Sequence, residues 1–141
     1  MDRELTFDEW VKTIPEQMKK DPLWDSVYYR LGMYLFDLVW LDCVTLRKDF
    51  RGSAIVSQLV RSTGSICANV EEAYGRGVKT ADYIRILRIA LGEARETQGW
   101  YLRSRHLMPA ELIDRRLNLI NQIISLLVRT IDSQRKMLAS A

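Results

Sequence analysis

Residues 109–138, PAELIDRRLNLINQIISLLVRTIDSQRKML, decide the fold. Side chains recur here at alternating spacings of three and four residues, which places them on one face of an α-helix. That face consists of Ile113, Leu117, Ile120, Ile124, Leu127, Ile131, Gln134 and Leu138, and a second set, Leu112, Leu119, Ile123 and Leu126, widens it. We predict a helix from Pro109 to about Met137 that packs this face against other helices.

The same spacing recurs in the preceding part of the chain, in a stripe formed by Ile84, Leu87, Leu91, Ala94, Gln98 and Tyr101. Counting from the N-terminus, long helices are predicted over residues 21–48, 54–74, 80–105 and 109–137. Short turns between long helices make neighbouring helices antiparallel. We therefore predict an all-α fold, an antiparallel up-down four-helix bundle over residues 26–141.

Residues 1–25 are predicted to form a short N-terminal helical extension. Thr6 and Glu9 have the spacing of a capping box, which predicts a helix over residues 7–20 that Pro15 kinks or splits. We expect Trp10 and Trp24 to tie this extension to the bundle.

Residues 27–46 are apolar on most sides of the predicted helix, and Arg30, Asp37 and Asp42 interrupt them. Three charges in so short a segment exclude a transmembrane span. One bundle core buries only one stripe of a helix. The remaining apolar side chains of this helix therefore predict either a subunit interface or cover by the N-terminal extension. We expect Tyr34 and Trp40 to pack in the core.

The charge is unevenly distributed along the chain, whose net charge is +3. Residues 1–25 hold four basic and seven acidic side chains, whereas residues 26–141 hold seventeen basic and eleven acidic ones, mostly arginine among the basic. Arginine makes forked contacts with phosphate and carboxylate, so the charge of the bundle permits nucleic-acid binding, although it is weaker than that of a strongly basic patch. We expect the acidic extension to fold over basic surface of its own or a neighbouring subunit.

Two further features bear on location and chemistry. Cys43 and Cys67 fall in apolar helical stretches without metal-binding spacing, and the N-terminus lacks a signal-peptide pattern, so we expect a cytoplasmic protein. The single histidine, His106, falls in a predicted turn, and no paired Glu-x-x-His motif of a di-iron bundle is present. We therefore expect no catalytic residue, no metal site and no cofactor.

One predicted helix carries a polar stripe at core-like spacing, formed by Gln58, Ser62, Ser65, Asn69, Glu72 and Arg76. Three interpretations remain open: a solvated face, a hydrogen-bonded seam between helices, and a surface that contacts a ligand. Glu72 and Arg76 are also spaced for an ion pair within the helix.

Residues 58–76, QLVRSTGSICANVEEAYGR, resemble the signature of a bacterial family of four-helix-bundle proteins that is labelled after an intervening sequence in 23S ribosomal RNA. The matching positions are Gln58, Arg61, Ser62, Ser65, Ile66, Asn69, Glu72, Gly75 and Arg76. A second block matches at Tyr83, Leu87, Ile89, Ala90, Gly92, Ala94 and Glu96. The chain departs from the pattern at Glu71, Ala73 and Glu93, where the family has Ala, Gly and Ser.

This resemblance implies a homopentamer with a central channel. It also implies similarity to the accessory protein of diversity-generating retroelements, which partners a reverse transcriptase and binds RNA and DNA. The key polar cluster that the resemblance implies is Gln58, Arg61, Ser65, Asn69, Glu72, Arg76 and Glu96.

We hypothesise from these observations a non-catalytic, oligomeric adaptor that associates with RNA or DNA, with a reverse transcriptase or another nucleic-acid enzyme as a partner. The candidate phosphate contacts are Arg47, Lys48, Arg51, Arg76, Lys79, Arg85, Arg88 and Arg95. The alternative is a protein–protein scaffold without direct nucleic-acid contact.

Overall fold

The computed structural model describes residues 3–140, and the regular structure in that range is entirely helical. Four of its helices are long. The elements are α1 (Phe7–Val11), α2 (Glu16–Lys19), a 3₁₀ turn (Pro22–Asp25), α3 (Val27–Leu46), α4 (Phe50–Arg76), α5 (Ala81–Arg103), a second 3₁₀ turn (Ser104–His106) and α6 (Ala110–Ala139). The prediction of an all-α fold is confirmed.

The four long helices close a ring around one apolar core. Helix α3 packs against α4, α4 against α5, α5 against α6, and α6 returns to pack against α3. The buried face of α6 consists of Ile113, Arg116, Ile120, Ile123, Ile124, Leu127 and Ile131. It differs from the predicted stripe because Leu117 is only half-buried and Leu138 is exposed, while Arg116 is buried.

Local capping explains where the helices begin. The Thr6–Glu9 capping box is present at the start of α1, and Pro15 separates α1 from α2. Asp21 caps the first 3₁₀ turn rather than a long helix, so α3 begins at Val27, later than predicted. Asp49 caps α4 by accepting the Arg51 amide at 2.8 Å, so α4 begins at Phe50, earlier than predicted.

Gly52 permits the tight turn between α3 and α4. A Cβ at this position would lie 2.0 Å from the Leu46 carbonyl oxygen and 2.8 Å from Leu107 Cδ1. Glycine therefore lets α4 start directly against the end of α3 and beside the turn between α5 and α6.

The N-terminal extension docks on α3 through aromatic side chains. Trp10 is 1% exposed, and its indole N–H donates to Asp37 Oδ2 at 2.7 Å. The rings of Phe7, Trp24 and Tyr34 surround it at centroid distances of 5.5–6.1 Å. The extension thus covers one face of α3, as expected for Trp10 and Trp24.

The expectation that Trp40 packs in the core is wrong, because its side chain is 62% exposed. Trp40 lies on the face of α3 that the extension leaves uncovered, whereas Tyr34 is buried beneath the extension and donates its hydroxyl to the Leu5 carbonyl.

A buried ion pair joins α3 to α6. Arg116 donates from Nε to Asp42 Oδ2 at 2.8 Å and from Nη2 to Asp42 Oδ1 at 3.0 Å. Tyr101 of α5 donates to the same carboxylate at 2.7 Å, and burial raises the pKa of its phenol well above the ordinary value. Both charged side chains are 2% exposed, so the pair depends on this bidentate geometry to offset its desolvation.

Glu4 extends this network to the extension. Its carboxylate accepts Arg116 Nη2 at 2.9 Å and two hydrogen bonds from Arg115 at 3.1 and 3.2 Å. The hydrogen bond from Arg116 is the largest influence on the pKa of Glu4 and, with that from Arg115, lowers it to about 2 against the opposing effect of burial. The acidic extension therefore lies over basic side chains of its own subunit.

We predict that Asp42→Ala lowers the free energy of unfolding by about 3–5 kcal/mol, because it leaves the Arg116 guanidinium buried with less compensation. Urea denaturation monitored by circular dichroism measures this. The triple variant Asp42→Leu, Arg116→Met, Tyr101→Phe removes both charges of the buried pair and the Tyr101 hydroxyl, leaves Glu4 its contacts with Arg115, and should recover most of the loss. Equal stability of Asp42→Ala and wild type would contradict the role assigned to the pair.

We also predict that the stabilisation from Glu4 is lost in acid. Since its pKa is lower in the folded protein than in the unfolded chain, the contribution is complete above pH 4.5 and declines as the pH falls towards 2. Urea unfolding of wild type and Glu4→Gln at pH 6 and pH 3 should give a stability difference that is smaller at pH 3. A difference that does not change with pH would refute this.

Candidate functional site

The polar stripe of α4 faces α5. Arg61 contacts two carboxylates of α5, Glu93 at 3.3 Å and Glu96 through a short ion pair, and it donates from Nε to Gln58 Oε1 at 3.2 Å. Burial, followed by the neighbouring charge of Glu96, raises the pKa of Glu93, whereas the hydrogen bond from Arg61 lowers the pKa of Glu96. Arg61 thus holds two adjacent acids of α5 against α4.

The other members of the stripe are also occupied within the protein. The Thr97 hydroxyl donates to Ser62 Oγ at 2.8 Å, and the Asn69 amide donates to the Ser65 carbonyl at 2.8 Å. Arg76 joins Glu72 at 2.9 Å to Asp82 at 3.2 Å. The contacts of Arg61, Ser62 and Arg76 with α5 form a polar seam between the two helices. The contacts of Asn69 with Ser65 and of Arg76 with Glu72 lie within α4, and a direct role of the stripe in ligand contact stays a prediction.

The predicted phosphate contacts fall into separate regions. Arg47, Lys48 and Arg51 lie at the turn between α3 and α4, while Arg76 and Lys79 lie at the turn between α4 and α5. Arg51 and Arg76 are separated by nearly the whole of α4, roughly 37 Å at 1.5 Å per residue. The eight residues therefore do not form one compact site.

The remaining three predicted contacts lie on the exposed face of α5. Every exposed charged residue of this helix is an arginine: Arg85, Arg88, Arg95 and Arg103. The acids of α5 are half-buried and occupied, Asp82 by Arg76 and Arg85, and Glu93 and Glu96 by Arg61. Arg88 and Arg95 form no ion pair with any residue of the described range 3–140.

The surface between these two arginines is open. Gly92 lies between Arg88 and Arg95 on the exposed face, and a Cβ built at Gly92 would meet no atom within 4 Å. A ligand can therefore approach the helix backbone closely at this point. We name the exposed residues Arg85, Arg88, Gly92, Arg95 and Arg103 the arginine face.

Helix α6 adds two arginines that sequence reasoning missed. Arg129 and Arg135 line a groove of about 310 Å³ together with Arg88, over a floor that includes Leu91 and Ile131. Asp132 also lines it, but its carboxylate pairs with Lys136 at 3.3 Å. Both side chains are exposed, and the spacing of residues in α6 gives no sign that this side of the helix borders Arg88.

An apolar groove of about 600 Å³ lies elsewhere, between α3 and α4. Its lining includes Trp40, Val44, Val56 and Val60, and Arg47 and Arg61 also contribute. Trp40 and Val44 are 62% and 52% exposed, so this surface retains the apolar surplus of α3 that the extension does not cover.

Neither the cysteines nor the potential metal ligands indicate reactive chemistry in the described residues. Burial raises the pKa of the Cys43 thiol to about 11 and that of Cys67 to about 12, and both thiols are free. Within residues 3–140, no three His, Cys, Asp or Glu side chains are grouped closely enough to hold a metal ion. No helix in this range is both long and apolar enough to cross a membrane.

Comparison with known proteins identifies relatives of the bundle. The sequence model of a family described as 23S rRNA-intervening sequence protein matches residues 26–129. A crystal structure of a protein of unknown function from the S23 ribosomal protein family of Bacteroides thetaiotaomicron is similar, with a TM-score of 0.69 and 27% identity. The similarity covers 74% of this chain and 98% of that one. No curated protein matches at a significant level.

Proposed function

Because the chain belongs to the 23S rRNA-intervening sequence protein family, we propose that it is a non-catalytic, oligomeric adaptor that binds RNA or DNA. The observation that carries this proposal is the arginine face of α5, which presents Arg88 and Arg95 without carboxylate partners. The family description, which refers to ribosomal RNA, supports the same class of ligand.

The electrostatics favour a polyanion as the ligand. An arginine that already holds a carboxylate must give up that contact before it can bind phosphate. The loss of that contact reduces the net free energy of phosphate binding. Arg88, Arg95, Arg129 and Arg135 make no such pairs with residues 3–140, so phosphates can bind them and release counterions at little cost. Gly92 allows a sugar-phosphate backbone to lie close against the helix.

We favour binding over catalysis because the acids with shifted pKa values serve other contacts. Glu93 and Glu96 hold Arg61, and Glu4 holds the extension in place. The proposed partner is a nucleic-acid enzyme, such as the reverse transcriptase that accompanies the retroelement accessory protein which this chain resembles.

The proposal includes self-association, in which each subunit is an antiparallel up-down four-helix bundle. Short turns and the closed ring of helix contacts support that topology. The apolar groove between α3 and α4 supports an interface, because it gathers the exposed side chains of Trp40 and Val44 with Val56 and Val60 on one surface. The number of subunits, five, rests on the resemblance alone.

A scaffold is the second candidate function, and the same apolar groove supports it. In that case the groove around Trp40 and Val44 would hold another protein, and the arginine face would only keep the surface solvated.

We predict that Arg88→Gln combined with Arg95→Gln weakens binding of a labelled RNA or DNA oligonucleotide by about tenfold at ~0.1 M salt, because two phosphate contacts are lost. Fluorescence anisotropy measures the affinity. The matched control is Lys12→Gln with Lys20→Gln, which removes the same charge from the extension. An equal effect of both double variants would mean that net charge alone governs binding, and would count against the arginine face.

We further predict that Trp40→Asp combined with Val44→Asp converts an oligomer into monomers, because it places charge in the proposed apolar interface. Sedimentation velocity measures the mass, and circular dichroism checks that the helices remain. The control is Val128→Asp, which adds charge at an exposed apolar position of α6. A wild-type protein that sediments as a monomer would contradict self-association.

A further inference from the structure

Phe50, the first residue of α4, is the most exposed large apolar side chain in the described chain, at 84%. The capping carboxylate of Asp49 fixes the start of the helix beside it, so its position is set by the backbone. An aromatic ring in water at a rigid position is a feature that neither the core nor the arginine face explains.

The residues on both sides of Phe50 in the sequence include three cations. Arg47 and Lys48 precede it, and Arg51 follows, with its guanidinium carbon 5.6 Å from the ring centroid. Asp49 is the acid of this turn, and Arg51 occupies it through contacts of 3.0 and 2.9 Å. The surface around Phe50 is therefore positive.

The turn between α5 and α6 adds further donors from the neighbouring part of the fold. Arg103 and His106 line a cleft of about 250 Å³ together with Arg51, over Ile55 and Leu107. The Arg103 guanidinium lies over the Trp100 ring at 4.6 Å, and Arg105 follows it in the same turn. Arg103 also belongs to the arginine face, so the two surfaces are continuous.

We propose that this end of the protein binds single-stranded nucleic acid, with an unpaired base stacked on Phe50 and an adjoining phosphate in the neighbouring cleft, held by Arg103 and His106 while Arg51 stays paired with Asp49. This inference rests on the proposed function and narrows it to single strands. A duplex hides the faces of its bases, whereas a single strand offers them to an exposed ring, and stacking combined with a positive groove is the usual means of holding single strands.

A second copy of the chain is the other occupant that an exposed ring could accept. The charges disfavour it, because pairing this surface with itself would bring Arg47, Lys48 and Arg51 against the same cations of the neighbour. Like charges brought together at an interface cost free energy.

The test compares Phe50→Leu and Phe50→Tyr in the full-length protein. Leucine keeps an apolar side chain but has no aromatic face, while tyrosine keeps the face. We expect Phe50→Leu to weaken binding of a fluorescein-labelled single-stranded 12-mer by about five- to hundredfold, as measured by anisotropy. Phe50→Tyr should bind like wild type, and the affinity for the duplex of the same sequence should not change.

Three results would overturn the inference. One is unchanged single-strand affinity in Phe50→Leu, and another is an equal loss for single strand and duplex. The third is a changed sedimentation coefficient for Phe50→Leu, which would make the ring a subunit contact. If Arg88→Gln with Arg95→Gln still weakens binding in any of these cases, the arginine face stands and only the stacking site fails. If wild type binds neither oligonucleotide, the proposed function fails as well.

Discussion

The buried pair of Asp42 and Arg116 is the contact on which the rest of the arrangement depends. Its bidentate geometry sets the position of α6 along α3, and the Tyr101 hydroxyl brings α5 to the same carboxylate. Glu4 then joins the extension to Arg116 from outside. Three helices and the extension therefore meet at one polar cluster. Along the rest of α5 the acids contact arginines of α4, and the arginines are exposed.

The extension covers only part of the apolar surface of α3. The extension buries Tyr34 and Trp10 against one another, whereas Trp40 and Val44 remain open beside α4. The family match begins at residue 26, so the extension lies outside the region that the family shares. The exposed part of α3, which includes Trp40 and Val44, lies within the matched region.

Much of the fold was predictable, because periodicity identifies helices and capping residues locate their ends. The stripe from Ile84 to Tyr101 and the Thr6 capping box were both sufficient for this. Periodicity predicts which face of a helix a residue lies on, but it does not predict which residue of another helix it contacts. Arg116 shares its buried face with Ile113 and Ile120 at spacings of three and four, which, with Asp42 in an apolar helix, was the one available signal of the pair. Arg88 and Arg129 line one groove, and Arg51 and Arg103 line one cleft. Each pair lies on consecutive helices, but the spacing within a single helix gave no signal that these side chains lie close together.

We propose that the arginine face of α5 contacts phosphates, above all through Arg88 and Arg95, which pair with no carboxylate of residues 3–140. The most direct measurement is the affinity of the wild-type protein for a labelled RNA or DNA as a function of salt concentration. If several phosphates are contacted, the logarithm of the affinity should fall with the logarithm of the salt concentration with a slope of about −2 or steeper. An affinity that does not respond to salt, or an absence of binding at low salt, would contradict it.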